Sequence, residues 1–156
     1  MKAAYITETG PADRIVHGDL PMPEPSAGQV RVKVTAAAVN PIDTYVRSGV
    51  VAMDLPNPFI VGSDLAGTVE SVNGSETGFK EGDRVWASNQ GLFGRQGSFS
   101  EFACVDADWL HRIPDGVPAE SAAAIALVGI TAHIGIVHRA RLQPGETIFV
   151  QGGSGG

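Results

Sequence analysis

Apolar and charged positions alternate without interruption over Val30-Arg-Val-Lys-Val34, the period-two pattern of a strand with one buried face. Shorter extended runs of similar character fall at Lys2–Ile6, Gly67–Val72, Asp83–Ala87 and Ser98–Val105. Glycines and prolines separate them at short intervals, as in an all-β unit. A proline-rich linker, Leu20-Pro-Met-Pro-Glu-Pro25, leads into the clearest strand, and Lys80-Glu-Gly-Asp turns the chain into another. One short helix interrupts the strands at Pro41–Arg47. Asn40 is placed as its N-cap, Pro41 as its first residue, Asp43 in its first turn and Ser48-Gly49 as its stop.

The pattern changes after Pro114. Pro118-Ala-Glu-Ser-Ala-Ala-Ala-Ile-Ala-Leu127 reads as a helix. Gly129 and Thr131 are expected to break it and to start a second helix that runs to about Arg139. Gln143-Pro-Gly-Glu146 is a turn, and Thr147–Gln151 is an apolar strand of the parallel, buried type. That strand runs into Gly152-Gly-Ser-Gly-Gly156. A strand, a tight glycine turn and a helix N-terminus together bind a dinucleotide pyrophosphate. Here the strand and the start of the turn are present, so the chain reads as the front half of a nucleotide-dependent enzyme ending inside its cofactor loop. A flexible terminal linker is the competing reading, although Ile148-Phe-Val150 is an odd approach to a solvated tail.

Composition narrows the classes. The chain has 156 residues, 43% hydrophobic and 18% charged, which suits a folded globular protein. Its net charge of -6 argues against nucleic acid or an anionic membrane as a partner. A single cysteine, Cys104, allows no internal disulfide and fits a reducing compartment. The start carries no signal-peptide pattern, and the apolar stretch Ala122–Val137 falls short of the ~20 residues of a membrane span. A cytoplasmic protein is expected.

Several blocks occur in a fixed order: Val39-Asn-Pro-Ile-Asp-Thr-Tyr-Val-Arg-Ser-Gly49, Gly62-Ser-Asp-Leu-Ala-Gly67, Gly82-Asp-Arg-Val85, Gly129-Ile-Thr-Ala132 and the terminal glycines. Together they closely resemble the quinone oxidoreductase, zeta-crystallin-like branch of the medium-chain dehydrogenase/reductase superfamily, over about half of a normal member. The resemblance implies mainly β structure with helices: a GroES-like β-barrel domain over residues 1 to 117, then the beginning of a Rossmann α/β domain over 118 to 156. It implies NADPH as hydride donor, with NADH not excluded, a quinone or enone as acceptor, and a homodimer.

Zinc-dependent members of the superfamily carry a cysteine ligand where this chain has Asn40, and a histidine ligand within Gly62-Ser63-Asp64. Neither an amide nor a hydroxyl suits such a zinc site, and His17, His111, His133 and His138 show no ligand spacing; His133 and His138, five apart, share a helix face poorly. No metal is expected. Without a Lewis acid, hydride requires an acceptor that is already electron-poor.

By the same resemblance Asn40, Asp43 and Tyr45 form the catalytic wall, and Asn40, Tyr45, Thr131, Gly152, Ser154, Gly155 and Gly156 face the cofactor. Each has a plainer reading: a helix cap for Asn40 and Thr131, a first-turn charge for Asp43, core packing for Tyr45. Ser63 and Asp64 read as structural. Relatives carry a tyrosine two residues after the Ser-Gly pair, whereas Val50-Val-Ala52 follows here, giving a more apolar or reshaped acceptor pocket. The loop Asn89–Gly97, with Phe93 and Arg95 near its tip, is longer than usual and reads as a surface loop or a lid. Two other functions fit the sequence: an enoyl-thioester reductase of the same superfamily, in which a tyrosine assists protonation, and a non-catalytic binding module.

Overall fold

The computed structural model describes residues 1–153. Among these residues eight strands form two antiparallel sheets. One holds β2 (Val16–Asp19), β1 (Lys2–Ile6) and β4 (Phe59–Ile60), in that order. The other runs β7 (Phe102–Asp106), β3 (Gln29–Ala38), β5 (Asp64–Val72), β6 (Arg84–Ala87) and β8 (Leu110–Arg112). The sheets join where Ala3 bridges to Ser100 and the Ala4 N–H donates to the Phe99 carbonyl at 2.8 Å, curling the strands into a half-barrel.

The alternation at Val30–Val34 does what its period demands. Val30 and Val32 point inward and join Leu65, Val69, Val85 and Val105 in the barrel core, while Lys33 faces outward. Register slips between Arg31 and Val32, and between Val34 and Ala36, interrupt the ladder of β3 with β5, which resumes from Ala36 to Ala38. That end delivers the chain into α1 (Pro41–Ser48), whose Val46 packs with Ile6, Phe59 and Val61 in a second cluster. The helix stops at Gly49, in the left-handed conformation expected of a C-terminal glycine.

The second helical region differs from the sequence expectation. α2 (Ala119–His133) passes through Gly129 and Thr131 without a break, then widens into a π-helical stretch, Ile134–Arg139. A single glycine costs a helix interior only about 1 kcal/mol, which Ala122, Ala123 and Ala126 offset by burying against the sheet beside Ala66 and Ile113. The continuous run Ala119–Arg139 is long and apolar enough to cross a membrane by length and composition, longer than the stretch read from the sequence.

Two further expectations are corrected. Residues 147–150 form no strand: Phe149 is 87% exposed, and no neighbouring strand among the described residues offers a ladder. Ser98–Glu101 is not part of a strand either; it crosses between the sheets, and β7 begins at Phe102. The short strands β2, β4 and β8 carry too few alternations to be read from the sequence.

A buried carboxylate network and the cleft beside it

The start of α1 assembles the polar centre of the molecule. Asn40 stands at the N-cap with its backbone N–H donating to Asp43 Oδ2 at 2.7 Å, the return half of a capping box. The other Asp43 oxygen accepts the Ser63 hydroxyl proton. Ser63 and Asp64 enter the core through Gly62, whose φ of +106° and contact with Phe99 exclude any side chain.

Asp64 is fully buried and accepts three donors. Asn40 Nδ2–H reaches Oδ2 at 2.9 Å, Ser88 Oγ–H reaches Oδ1 at 2.6 Å, and the Leu127 backbone N–H reaches Oδ2 at 3.1 Å. A buried carboxylate persists only when it is hydrogen-bonded in this way. The N-cap of α1, the residue after β6 and the middle of α2 therefore meet on one side chain of β5.

Burial pushes the Asp43 carboxyl above the ordinary carboxylate range; the bonds from Ser63 and Asn40 pull it back, and the nearby Asp64 adds to the rise. Among the described residues no group of three or more His, Cys, Asp or Glu is placed to hold a metal ion. His133 and His138 nevertheless come within 5.1 Å, ring centre to ring centre. The π-helical turn brings residues five apart onto one face, where an α-helix would separate them.

Beside the network lies a cleft of about 380 Å³. Ile42 of α1 forms one side, Ser88, Asn89 and Leu92 a second, and Leu127, Ile130, Thr131 and Ile134 of α2 and its extension the third. Thr131 is exposed and donates its hydroxyl proton to the Leu127 carbonyl at 3.0 Å, so toward a ligand it is an acceptor. Tyr45, one helical turn beyond Ile42, is 48% exposed, and its phenol has no protein partner among the described residues.

The candidate residues thus divide. Asn40 and Asp43 are brought together, both buried and both fully engaged. Tyr45 and Thr131 stand in the open on separate helices. Gly152 has φ +75°, the conformation a tight glycine turn requires, with open space where a Cβ would stand. Ser154, Gly155 and Gly156 lie outside the described residues. Of the residues expected at the cofactor, the described part of the chain thus shows Thr131 on the cleft wall and Gly152 in a tight turn. Asp64 as the hub, Ser88 and the Leu127 N–H were not legible in the sequence as parts of the site. Asp64 looked like a strand-start residue, and no local pattern announces that a helix 63 residues later will donate to it.

The comparisons with known proteins agree with this geometry. The alcohol dehydrogenase GroES-like domain model matches residues 26–115. Human quinone oxidoreductase is 34% identical over the whole chain, and the mouse protein of that name 35%. Among solved structures, a mycobacterial protein complexed with NADPH superimposes with a TM-score of 0.87 at 37% identity, covering all of this chain and 47% of that one. An alcohol dehydrogenase superfamily protein from Novosphingobium aromaticivorans gives 0.87 at 38% identity, over 99% of this chain and 47% of its own. The chain spans about half the length of the curated relatives it matches, 46% for the human and mouse proteins. A half-barrel with these strands, this helix at the end of β3 and these relatives belongs to the alcohol dehydrogenase GroES-like domain family of the medium-chain dehydrogenase/reductase superfamily.

Proposed function

We propose that this chain is the N-terminal part of an NADPH-dependent quinone reductase that works without a metal. The GroES-like unit ends near residue 117, and the remainder opens a Rossmann domain. The observation that carries this reading is the closure of the Asn40–Asp43–Ser63–Asp64 network. At the two positions where zinc-dependent members have ligands, this chain has an amide and a hydroxyl already committed to carboxylates. The names of the relatives, and the NADPH held by the mycobacterial structure, support the same reading.

NADPH, when bound, supplies hydride to an acceptor that is already electron-poor. The residues of this chain provide the surroundings. Ile42, Leu127, Ile130 and Ile134 give the cleft a mostly apolar wall suited to an apolar ring system. The network behind it fixes α1 and α2 relative to one another, so that Thr131 and the wall keep their positions. Asn40 and Asp43 act as the frame of the site rather than as groups reaching into it. We assign the whole protein to the cytoplasm as a homodimer acting on small molecules, without nucleic acid or membrane as partner.

Tyr45 favours a second reading. Its exposed phenol, one helical turn from the cleft residue Ile42, is the kind of group an enoyl-thioester reductase uses to protonate its product. The test is NADPH oxidation by the protein at full native length, with naphthoquinone or an enoyl thioester as acceptor, with and without a chelator. Quinone turnover that survives the chelator is expected. Turnover of the thioester alone selects the second reading, and loss of quinone turnover with chelator removes the metal-free mechanism.

A further inference from the structure

The loop from Ser88 to Gly97 forms one wall of the cleft, and both of its ends are pinned. Ser88 is bound to Asp64, and the Gln90 N–H donates to the Ser63 carbonyl at 3.0 Å. At the far end Gln96 Oε1 accepts the Ile60 N–H at 2.7 Å, and its amide donates to the Pro58 carbonyl at 2.8 Å. Between these anchors Asn89 adopts φ +58°, a left-handed conformation that asparagine tolerates better than most side chains.

Arg95 holds it there. Its Nη2–H donates to the Asn89 carbonyl at 2.7 Å, while its guanidinium lies 4.4 Å from the centre of the Trp109 ring and 5.6 Å from that of Phe93. Arg95 Nε is buried without a hydrogen-bond partner. The guanidinium lies against the indole face, where the cation–π contact offsets the missing partner at Nε. Trp109 closes a short 3-10 turn, Ala107–Trp109, that opens directly into β8, so the support is part of the sheet.

The chemistry of the cleft wall singles out what this arrangement positions. Five of the lining residues are apolar. The Ser88 hydroxyl proton is spent on Asp64, and that of Thr131 on the Leu127 carbonyl. The Asn89 carboxamide has no protein partner among the described residues. It is the uncommitted N–H donor of the wall.

We propose that Asn89 binds the carbonyl oxygen of the acceptor through its side-chain N–H, and that Arg95, seated on Trp109, is the positioning residue that keeps Asn89 in place. The identity of the ligand rests on the reductase reading above. A carbonyl oxygen that gains electron density on reduction becomes a stronger acceptor, so a donor fixed beforehand favours the reduced state.

The experiment uses the full-length protein and three variants. Asn89→Gly keeps the left-handed backbone and removes the donor. Asn89→Asp keeps the shape and exchanges the donor for a carboxylate. Arg95→Met keeps apolar contact with Trp109 and removes the guanidinium. Equilibrium binding of naphthoquinone, without NADPH, is read from quenching of tryptophan fluorescence, and KM and kcat are measured in parallel. Each single variant is expected to weaken quinone binding about three- to tenfold, the worth of one hydrogen bond. The double variant Asn89→Gly/Arg95→Met is expected to bind no more weakly than Asn89→Gly alone. Binding by Asn89→Gly and Asn89→Asp within about twofold of wild type, or no quinone binding by the wild type, overturns the assignment of Asn89. Additive losses in the double variant overturn the role of Arg95. A wild type that binds quinone but does not reduce it ends the reductase reading, and the binding series still decides the role of Asn89.

Discussion

The Asp64 carboxylate accepts the backbone N–H of Leu127 at 3.1 Å, tying the first residue of β5 to the middle of α2. Because the same oxygen also accepts Asn40 Nδ2–H, the two helices bordering the cleft are hung from one atom. Replacing Asp64 with alanine strands the buried Asn40 and Ser88 donors and releases the half-buried Leu127 N–H from its tie to β5. Each orphaned group costs about 1–3 kcal/mol, with incomplete additivity, so a loss of about 3–5 kcal/mol is expected. Urea unfolding measures it, and amide exchange at Leu127 reports whether α2 loosens first. A loss below about 1 kcal/mol would show that the carboxylate is not the tie we describe.

Asp43 carries a pH dependence of unusual sign. Burial raises its folded pKa above the ordinary 3.8, so between 3.8 and the raised value the folded state holds a proton that the unfolded state has released. Stability from this group is therefore fully present below 3.8 and is lost as pH rises through the folded pKa. Denaturation midpoints of wild type and Asp43→Asn across this range isolate the effect. Relative to the variant, the wild type is expected to lose stability as pH rises. A parallel pair of profiles would contradict it.

Burial pushes the Cys104 thiol up to about 11 from 9.0, with Arg31 only partly opposing the rise. At neutral pH the thiolate fraction is then about a hundredfold below that of an ordinary cysteine. Iodoacetamide should label the native protein slowly at neutral pH and rapidly once denatured. Equal rates in the two states would be inconsistent with the packed environment of β7.

Gly67 of β5 pairs with Val34 of β3. A Cβ there would stand 2.1 Å from the Lys33 carbonyl oxygen, which is backbone and cannot step aside. Gly67→Ala is expected to cost more than about 3 kcal/mol, beyond the range of most single substitutions. By contrast Gly78→Ala meets no atom within 4 Å and pays only for its left-handed φ of +73°, about 1 kcal/mol. Thermal melts of the two variants rank the effects, and the reverse order would refute the steric account.

The sequence was most legible where local rules and tertiary packing agree. Lys2–Ile6, the alternation at Val30–Val34 and the Asn40-Pro41-Ile-Asp43 helix start all reappear, because period-two burial and capping are decided by neighbours in the chain. The reading failed where distant partners decide. Gly129 is a helix breaker only when nothing else holds the helix, and the packing of Ala122 and Ala126 overrides it. Thr147–Gln151 has strand-forming side chains, but a strand also requires a neighbour to bond. The network was half visible: the cap at Asn40 was read correctly, while the choice of Asp64 as its partner depends on β5 passing behind α1.

The last expectation concerns the 156-residue chain taken alone. Ile148, Phe149 and Val150 are 44%, 87% and 61% exposed, and on α2 and its extension Ile125, Ile134 and Val137 are also open to solvent. Apolar side chains exposed together in this way favour association between copies. Among the described residues no sheet lies behind the turn at Gly152, which leaves it without a rigid base from which to meet a pyrophosphate. We therefore expect the isolated chain to self-associate with rising concentration and to show no NADPH-dependent reduction of naphthoquinone, while the full-length protein reduces it. Size-exclusion chromatography with light scattering tests the first expectation. Turnover by a purified chain of this length would overturn the second, because it would mean that the barrel and α2 suffice to hold both reactants.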